Sequence, residues 1–235
     1  MPWTAGCTAI KPVTVITGAT GGIGQALAHL LSHHRLVLLG RDPARLETLC
    51  ATLPDATPLA LELRQPQRFK AALEGVGRVD NLIHNAGVVQ LGTVLDTELS
   101  VWRELLEVNL LAAVELTRVL LPRLRQVKGQ VLFVNSGAGL QANASWSAYA
   151  ASKFALKAFA ESLCAEELPS GLRVMTVYPG RTATAMQQRV RAEENAPYEP
   201  ERYIQPENLA STIRLMLELP RDTVLAQVIV DRAGG

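Results

Sequence analysis

The sequence predicts a single α/β domain built on a doubly wound parallel sheet, and three observations carry that reading. Strand-like apolar runs alternate with helical segments along the whole chain. Those runs are continuously apolar rather than alternating, the pattern of strands covered on both faces. No linker-like stretch or internal repeat divides the 235 residues, a length that suits one such domain. Hydrophobic residues make up 48% and charged residues 19% of the chain, enough apolar material for a large core. The expectation is one domain over 1–235 with about seven strands and helices on both faces.

Each element has its own signal. Residues 13–17 are a short β-branched run ending in a glycine cluster, and a helix follows over about 22–32. A second apolar run, 36–39, precedes Asp42-Pro43, which reads as an N-cap and a first helical position. Residues 58–61 form a weaker strand, and 81–84 a further one that ends in Asn85-Ala86-Gly87. Leucines at helical spacing predict one long amphipathic helix from 99 to about 127. Residues 130–135 read as a strand, 147–168 as an Ala-rich helix, and 172–178 as a strand running into Pro179-Gly180. Pro206 opens a late helix, and 224–230 is the final strand. Between 186 and 203 the chain is polar and holds Pro197 and Pro200, which predicts a long loop. Loops of that length are usually functional, so about 186–205 is the expected substrate loop.

Composition excludes several classes. The formal net charge is +1, without the basic excess that nucleic-acid or membrane-surface partners require. Cys7, Cys50 and Cys164 are odd in number and widely spaced, so they form no disulfide framework and no metal-binding CxxC pair; all three are expected to be reduced, and no metal site is expected. The first eleven residues do not read as a signal peptide, and no apolar run reaches the roughly 18 residues of a membrane span. A cytoplasmic setting is the resulting expectation.

Two groups of residues carry chemistry. The first strand enters Thr17-Gly18-Ala19-Thr20-Gly21-Gly22-Ile23-Gly24, a turn whose free backbone N–H groups at a helix start favour a phosphate. The GxGxxG fingerprint does not fit, because Leu27 occupies its third position, and no Gly-Lys-Ser/Thr marks a P-loop. Arg41 ends the second strand where such sheets meet the adenosine ribose, and an arginine there pairs with a 2′-phosphate. Gly40 stands where a ribose-binding acid would be expected. Asp42 competes for that role, but Pro43 after it favours capping. NADP(H) is therefore preferred to NAD(H). The second group is Tyr149 and Lys153, one helical turn apart on one face, with Ser136 at the end of a preceding strand. A free phenol has a pKa of about 10, and a nearby ammonium is expected to lower it, giving a proton carrier for alcohol/carbonyl interconversion.

Taken together these motifs resemble the short-chain dehydrogenase/reductase family, in its NADP(H)-preferring type. The match spans about residue 11 to the C-terminus. Residues 17–24 resemble its TGxxxGxG loop, Asn85-Ala86-Gly87 its NAG motif, Tyr149-Ala150-Ala151-Ser152-Lys153 its YxxxK motif, and Pro179-Gly180-Arg181-Thr182-Ala183-Thr184 the segment that closes over the nicotinamide. The resemblance implies a Rossmann-type fold and a hydride transfer between NADP(H) and a carbonyl or alcohol substrate. It also implies a homodimer or homotetramer.

It further assigns roles that spacing does not. Asn109 would position a water in a proton relay, Ser136 would orient the substrate oxygen, Tyr149 would exchange the proton, and Lys153 would bind the nicotinamide ribose. Thr17, Gly18, Thr20, Gly22, Ile23 and Gly24 would cradle the cofactor, with Glu62-Leu63 at its adenine, Asn85, Ala86 and Gly87 beside it, and Pro179, Gly180, Thr182 and Thr184 at its nicotinamide end. The chain departs from the family at Thr182, where Val or Ile is usual, at Glu62, where Asp is usual, and at His84, read as structural. Trp146, Leu140, Gln141 and Met186 are candidate pocket residues, and Arg181 a candidate partner for an anionic group. Two rival readings are a catalytically idle NADP(H)-binding regulatory protein on the same fold and a nucleotide-sugar epimerase or dehydratase. The intact Asn109, Ser136, Tyr149 and Lys153 set argues against the first, and the short tail after Thr184 against the second.

Overall fold

Seven strands pair in parallel into one sheet: Val13–Thr17 (β1), Arg35–Gly40 (β2), Ala56–Ala60 (β3), Asn81–His84 (β4), Gln130–Val134 (β5), Arg173–Pro179 (β6) and Gln227–Val230 (β7). Their order is β3-β2-β1-β4-β5-β6-β7, so the chain builds outward from β1 to β3, crosses back, and builds outward again from β4. The structure, a computed structural model, describes residues 11–233. This is the doubly wound sheet expected, with the direction reversing between β1 and β4.

The inner strands lie between two helical layers because their side chains alternate between two apolar clusters. Val13, Val15, Leu82, Val131, Phe133 and Val174 pack on one face. Ile16, Ile83, Leu132, Val134, Met175 and Val177 pack on the other. The first face is covered by Phe69–Ala72 (α3), Ala112–Gln126 (α5) and Ser147–Glu167 (α6), through residues such as Phe69, Leu116, Leu120 and Leu156. The second is covered by Gly22–Leu30 (α1), Pro43–Cys50 (α2) and Pro206–Glu218 (α8), through Leu27, Leu46, Leu209 and Ile213. The edge strand β3 accommodates Pro58, which has no N–H for a ladder.

Two expectations are corrected. The helix expected over 99–127 is Leu99–Leu106 (α4), a π-helical segment Glu107–Leu111, and α5. Such segments, with i→i+5 bonds, occur as single turns inside α-helices, and this one surrounds Asn109. The polar stretch 186–203 is not a plain loop: Ala185–Glu193 (α7) occupies its first half, capped by Thr184, whose side chain accepts from the Gln187 N–H at 3.2 Å. Thr184-Ala185-Met186-Gln187 is the threonine-to-glutamine spacing of a helix start. Cys50 and Cys164 are free thiols, whereas Cys7 and the segment read for a leader fall largely outside the described residues. Among the described residues no helix is long and apolar enough to cross a membrane.

A row of buried polar residues runs along the amino ends of four adjacent strands, at Thr14, Asn81, Gln130 and Arg173, which are register partners. Arg173 donates to Gln130 Oε1 at 2.6 Å, Gln130 to Asn81 Oδ1 at 2.9 Å, and Asn81 to Thr14 Oγ1 at 2.9 Å. Thr14 in turn bonds to His34 Nδ1 at 2.8 Å. Arg173 also donates to the carbonyls of Leu217, Leu219 and Pro220, closing the carboxyl end of α8 with a positive charge.

Candidate active site

The crevice lies at the carboxyl ends of the strands, where the sheet reverses direction. β1 leads into the glycine turn, where Gly18 adopts φ +63° and a Cβ would stand 2.8 Å from the Ala86 Cα. That approach lets the turn and the Asn85-Ala86-Gly87 segment knit together. Thr17 Oγ1 accepts from the Asn85 and Ala86 N–H groups, each at 3.0 Å, and Asn85 Nδ2 donates to the carbonyls of Thr17 and Gly18, each at 3.1 Å. Gly24 packs against the turn from within α1, where a Cβ would meet Gly18 O at 2.3 Å. The N-terminus of α1 has no side-chain cap, so its first-turn N–H groups remain for an anion.

A cleft of about 540 Å³ opens over this turn, lined by Gly18, Thr20, Gly22, Ile23, Arg41, Glu62, Leu63, Asn85, Ala86 and Gly87. Asp42 does cap α2, accepting from the Arg45 N–H at 3.2 Å, which engages it away from a ribose role and leaves Arg41 at the rim. Arg45 lines the same cleft and donates to Thr20 O at 2.9 Å, tying α2 to the glycine turn. Glu62 reaches the cleft, but both carboxylate oxygens are held by Arg64, at 3.2 and 3.1 Å. Those bonds, with Arg41 nearby, hold its carboxyl below the usual range.

A second cleft of about 420 Å³ shares Ile23, Asn85, Gly87, Thr184 and Met186 with the first. Ser136, Tyr149, Lys153, Pro179, Gly180 and Thr182 line it. Ser136 lies two residues beyond β5, and Tyr149 and Lys153 face the cleft from the first turns of α6. Burial pushes the Tyr149 phenol above its ordinary pKa, opposed by hydrogen bonding with the Ser136 side chain. Burial also pushes the Lys153 amine down, to about 8. The expected lowering of the phenol by the ammonium is corrected: burial raises it instead, and the influence opposing burial is the Ser136 side chain rather than Lys153. The Lys153 Nζ lies 5.8 Å from the Tyr149 ring centre and donates to Val134 O at 3.4 Å.

Residues 12–195 match the short chain dehydrogenase family. The chain belongs to the short-chain dehydrogenase/reductase family. Dehydrogenase/reductase SDR family member 7B of Xenopus laevis is 37% identical over 189 residues, covering 73% of this chain. The chain spans 58% of the length of that relative. An uncharacterized short-chain type dehydrogenase/reductase, y4eK of Sinorhizobium fredii, is 30% identical over 215 residues, covering 88% of this chain and 86% of its own. Among solved structures, an alcohol dehydrogenase from the archaeon Thermococcus sibiricus, complexed with 5-hydroxy-NADP, superposes with a TM-score of 0.86 at 25% identity over 95% of this chain and 97% of that one. A short chain dehydrogenase from Shigella flexneri, complexed with NADP, gives 0.79 at 26% identity over 93% and 95%.

Not every expected residue of this short-chain dehydrogenase/reductase reaches a cleft. Thr17, Gly24 and Asn109 are not among the lining residues. Thr17 and Gly24 shape the turn from behind. Asn109 is buried, its Oδ1 accepting from Val88 N at 2.8 Å and its Nδ2 donating to Val88 O and Ser152 Oγ, each at 2.9 Å. Of the candidate pocket residues, Trp146, Met186 and Arg181 line the second cleft, whereas Leu140 and Gln141 line neither cleft. Arg181 is engaged by Glu194 at 2.9 and 2.6 Å, so its charge is already paired. His84 is buried against Phe133, bonds to Thr117 Oγ1 at 2.8 Å, and is pushed down to about 3 by burial. Arg45, Asn143 and Gln187 line the clefts without a sequence signal of their own, because only folding brings them there.

Proposed function

We propose that this chain is an NADP(H)-dependent reductase of carbonyl compounds, with Tyr149 as the proton donor. The observation that carries the reading is the continuity of two clefts, one with the phosphate-binding turn and Arg41, the other with Ser136, Tyr149 and Lys153. A dinucleotide suits the first on structural grounds: the Gly18 approach leaves no room for a Cβ, and the uncapped start of α1 offers N–H groups to a pyrophosphate. Arg41, with Asp42 engaged as a cap, favours a 2′-phosphate. Lys153 and Thr182 would hold the nicotinamide end, which supplies the hydride when bound.

The chain's own groups then divide the remaining work. Ser136 orients the substrate oxygen toward Tyr149. The phenol, raised by burial above its ordinary pKa, donates its proton to that oxygen as charge develops on it. The buried Lys153 amine supplies positive potential beside the ring. Asn109 acts through the backbone at Val88, positioning the segment after Gly87.

A screen of aldehydes, ketones and quinones tests the reading, with NADPH and NADH compared at equal concentration. Oxidation of NADPH by at least one carbonyl class, faster than that of NADH, is the expected result. Tight NADPH binding without oxidation by any compound would overturn it in favour of the cofactor-binding regulator.

A further inference from the structure

The proton-transfer cleft carries an unbalanced charge. Among the described residues its wall holds two cations, Lys153 and Arg181, and no carboxylate. Lys153 is buried and donates to the Val134 carbonyl, at 3.4 Å, with no acid beside it among the described residues. Arg181 is paired with Glu194, but that carboxylate is shared. Arg181 donates to its two oxygens at 2.9 and 2.6 Å, and Arg191 donates to one of them at 2.6 Å. One negative charge thus faces two guanidiniums, and a net positive charge remains at the rim of the cleft. Glu193 and Asp231 are engaged by the N–H groups of Leu91 and Arg232, each at 2.8 Å, and neither lines the cleft. Glu194 is held in place because α7 is fastened at both ends, by the Thr184 cap at its start and by Glu193 and Glu194 at its close.

Arg181 also has donors to offer. A guanidinium carries five N–H groups, and Glu194 takes one on each Nη, which leaves the Nε–H and the second N–H of each Nη without a partner among the described residues. The side chain is 42% exposed, so a ligand can reach it. Trp146 fixes its distance from the proton donor: the guanidinium lies 6.0 Å from the Trp146 ring centre, and the Tyr149 ring lies 5.8 Å from it. Stacking on the indole holds the guanidinium in place without using its N–H groups. We propose that Arg181 is a specificity-determining residue that reads a carboxylate on the carbonyl substrate, set apart from the reacting carbon by the width of an aromatic ring. Glu194 stays with Arg191 as the acid binds, and the apolar body of the substrate packs against Val89, Trp146 and Val190. This inference rests on the reductase reading above.

Two matched pairs serve as probes, 4-formylbenzoate with its methyl ester and 4-acetylbenzoate with its methyl ester, with NADPH as reductant. The readout is the ratio of kcat/KM for the acid to that for the ester, which cancels any loss common to both, such as that of a loosened α7. In the wild type the ratio should exceed about ten for at least one pair. Arg181→Gln and Arg181→Met should each lower it about tenfold or more, mainly through the KM of the acid, and two variants guard against one that fails to fold. Glu194→Gln removes the competing carboxylate and should raise the ratio about threefold. The NADPH dissociation constant of the Arg181 variants, read by fluorescence, should match that of the wild type. A wild-type ratio near one, or a ratio that the Arg181 variants leave unchanged, overturns the proposal while leaving the reductase reading intact. An unchanged or lower ratio in Glu194→Gln also overturns it, as does a weakened NADPH constant, which would assign Arg181 to the cofactor. NADPH oxidation by none of the probes or screened carbonyls defeats both readings.

Discussion

At Tyr149 and Lys153 the loss of water sets the direction of both shifts. Spacing alone places both on one face of a helix and leads to the expectation of an acidified phenol; burial instead raises the phenol and lowers the amine to about 8. Charge at the opposite end of the crevice is simpler. Asp42 is engaged by its helix and Glu62 by Arg64, and Arg41 lines the same cleft, which is the basis of the proposed preference for a 2′-phosphate. A charge-assisted contact is worth about 1.5–3 kcal/mol, so Arg41→Ser should raise the KM for NADPH by about tenfold to a hundredfold. The KM for NADH should shift by less than about twofold, as read by steady-state rates with both cofactors. Equal shifts for both would remove Arg41 from phosphate recognition. The Asp42 cap was legible because it depends on neighbouring residues. The state of Tyr149 and the pairing of Arg181 were not, because each depends on what surrounds the group after folding.

Elements were legible where local rules decide them and illegible where long-range packing does. Asp42-Pro43 marks the start of α2 by its own chemistry. The π-helical segment around Asn109 widens the hydrogen-bond ladder from i→i+4 to i→i+5 while buried residues still recur every three or four positions on either side, at Leu105, Asn109, Ala112 and Leu116, so periodicity passed over it. Two prolines masked α7, although Thr184 and Gln187 mark its start. The polar row beneath the sheet has no sequence pattern, since Thr14, Asn81, Gln130 and Arg173 become neighbours only through strand register. It carries a pH dependence. His34, at the end of the row, is pushed down to about 4 by burial, with His33 nearby adding to the effect. Between its ordinary 6.5 and about 4, the unfolded chain binds a proton that the folded chain does not. The contribution of this group is therefore complete above that window and falls as pH drops through it, by about 1–3 kcal/mol once solvent screening is allowed for. His84, lowered to about 3, adds to the same slope. Urea unfolding at several pH values should show this decline and a shallower one for His34→Gln. A pH-independent unfolding energy across the window would contradict the placement of both histidines.

For the molecule as a whole, the strand order explains why residues far apart in sequence meet. The turn after β1, Arg41 after β2, Glu62 after β3, Asn85 after β4, Ser136 after β5 and Gly180 after β6 all lie at carboxyl ends of parallel strands, and the reversal between β1 and β4 opens the crevice among them. Parallel pairing was readable from continuously apolar strands, and with it the edge on which the site must lie. The division into two joined clefts and the fastening of α7 over one of them were not, because they depend on side-chain packing. The account depends most on Tyr149 passing a proton within the second cleft. The most direct measurement is NADPH oxidation by Tyr149→Phe on a carbonyl compound that the wild type reduces, with NADPH binding checked by fluorescence. A loss in kcat of about a hundredfold to ten-thousandfold with unchanged NADPH binding is the predicted result. Turnover near the wild-type rate would contradict it.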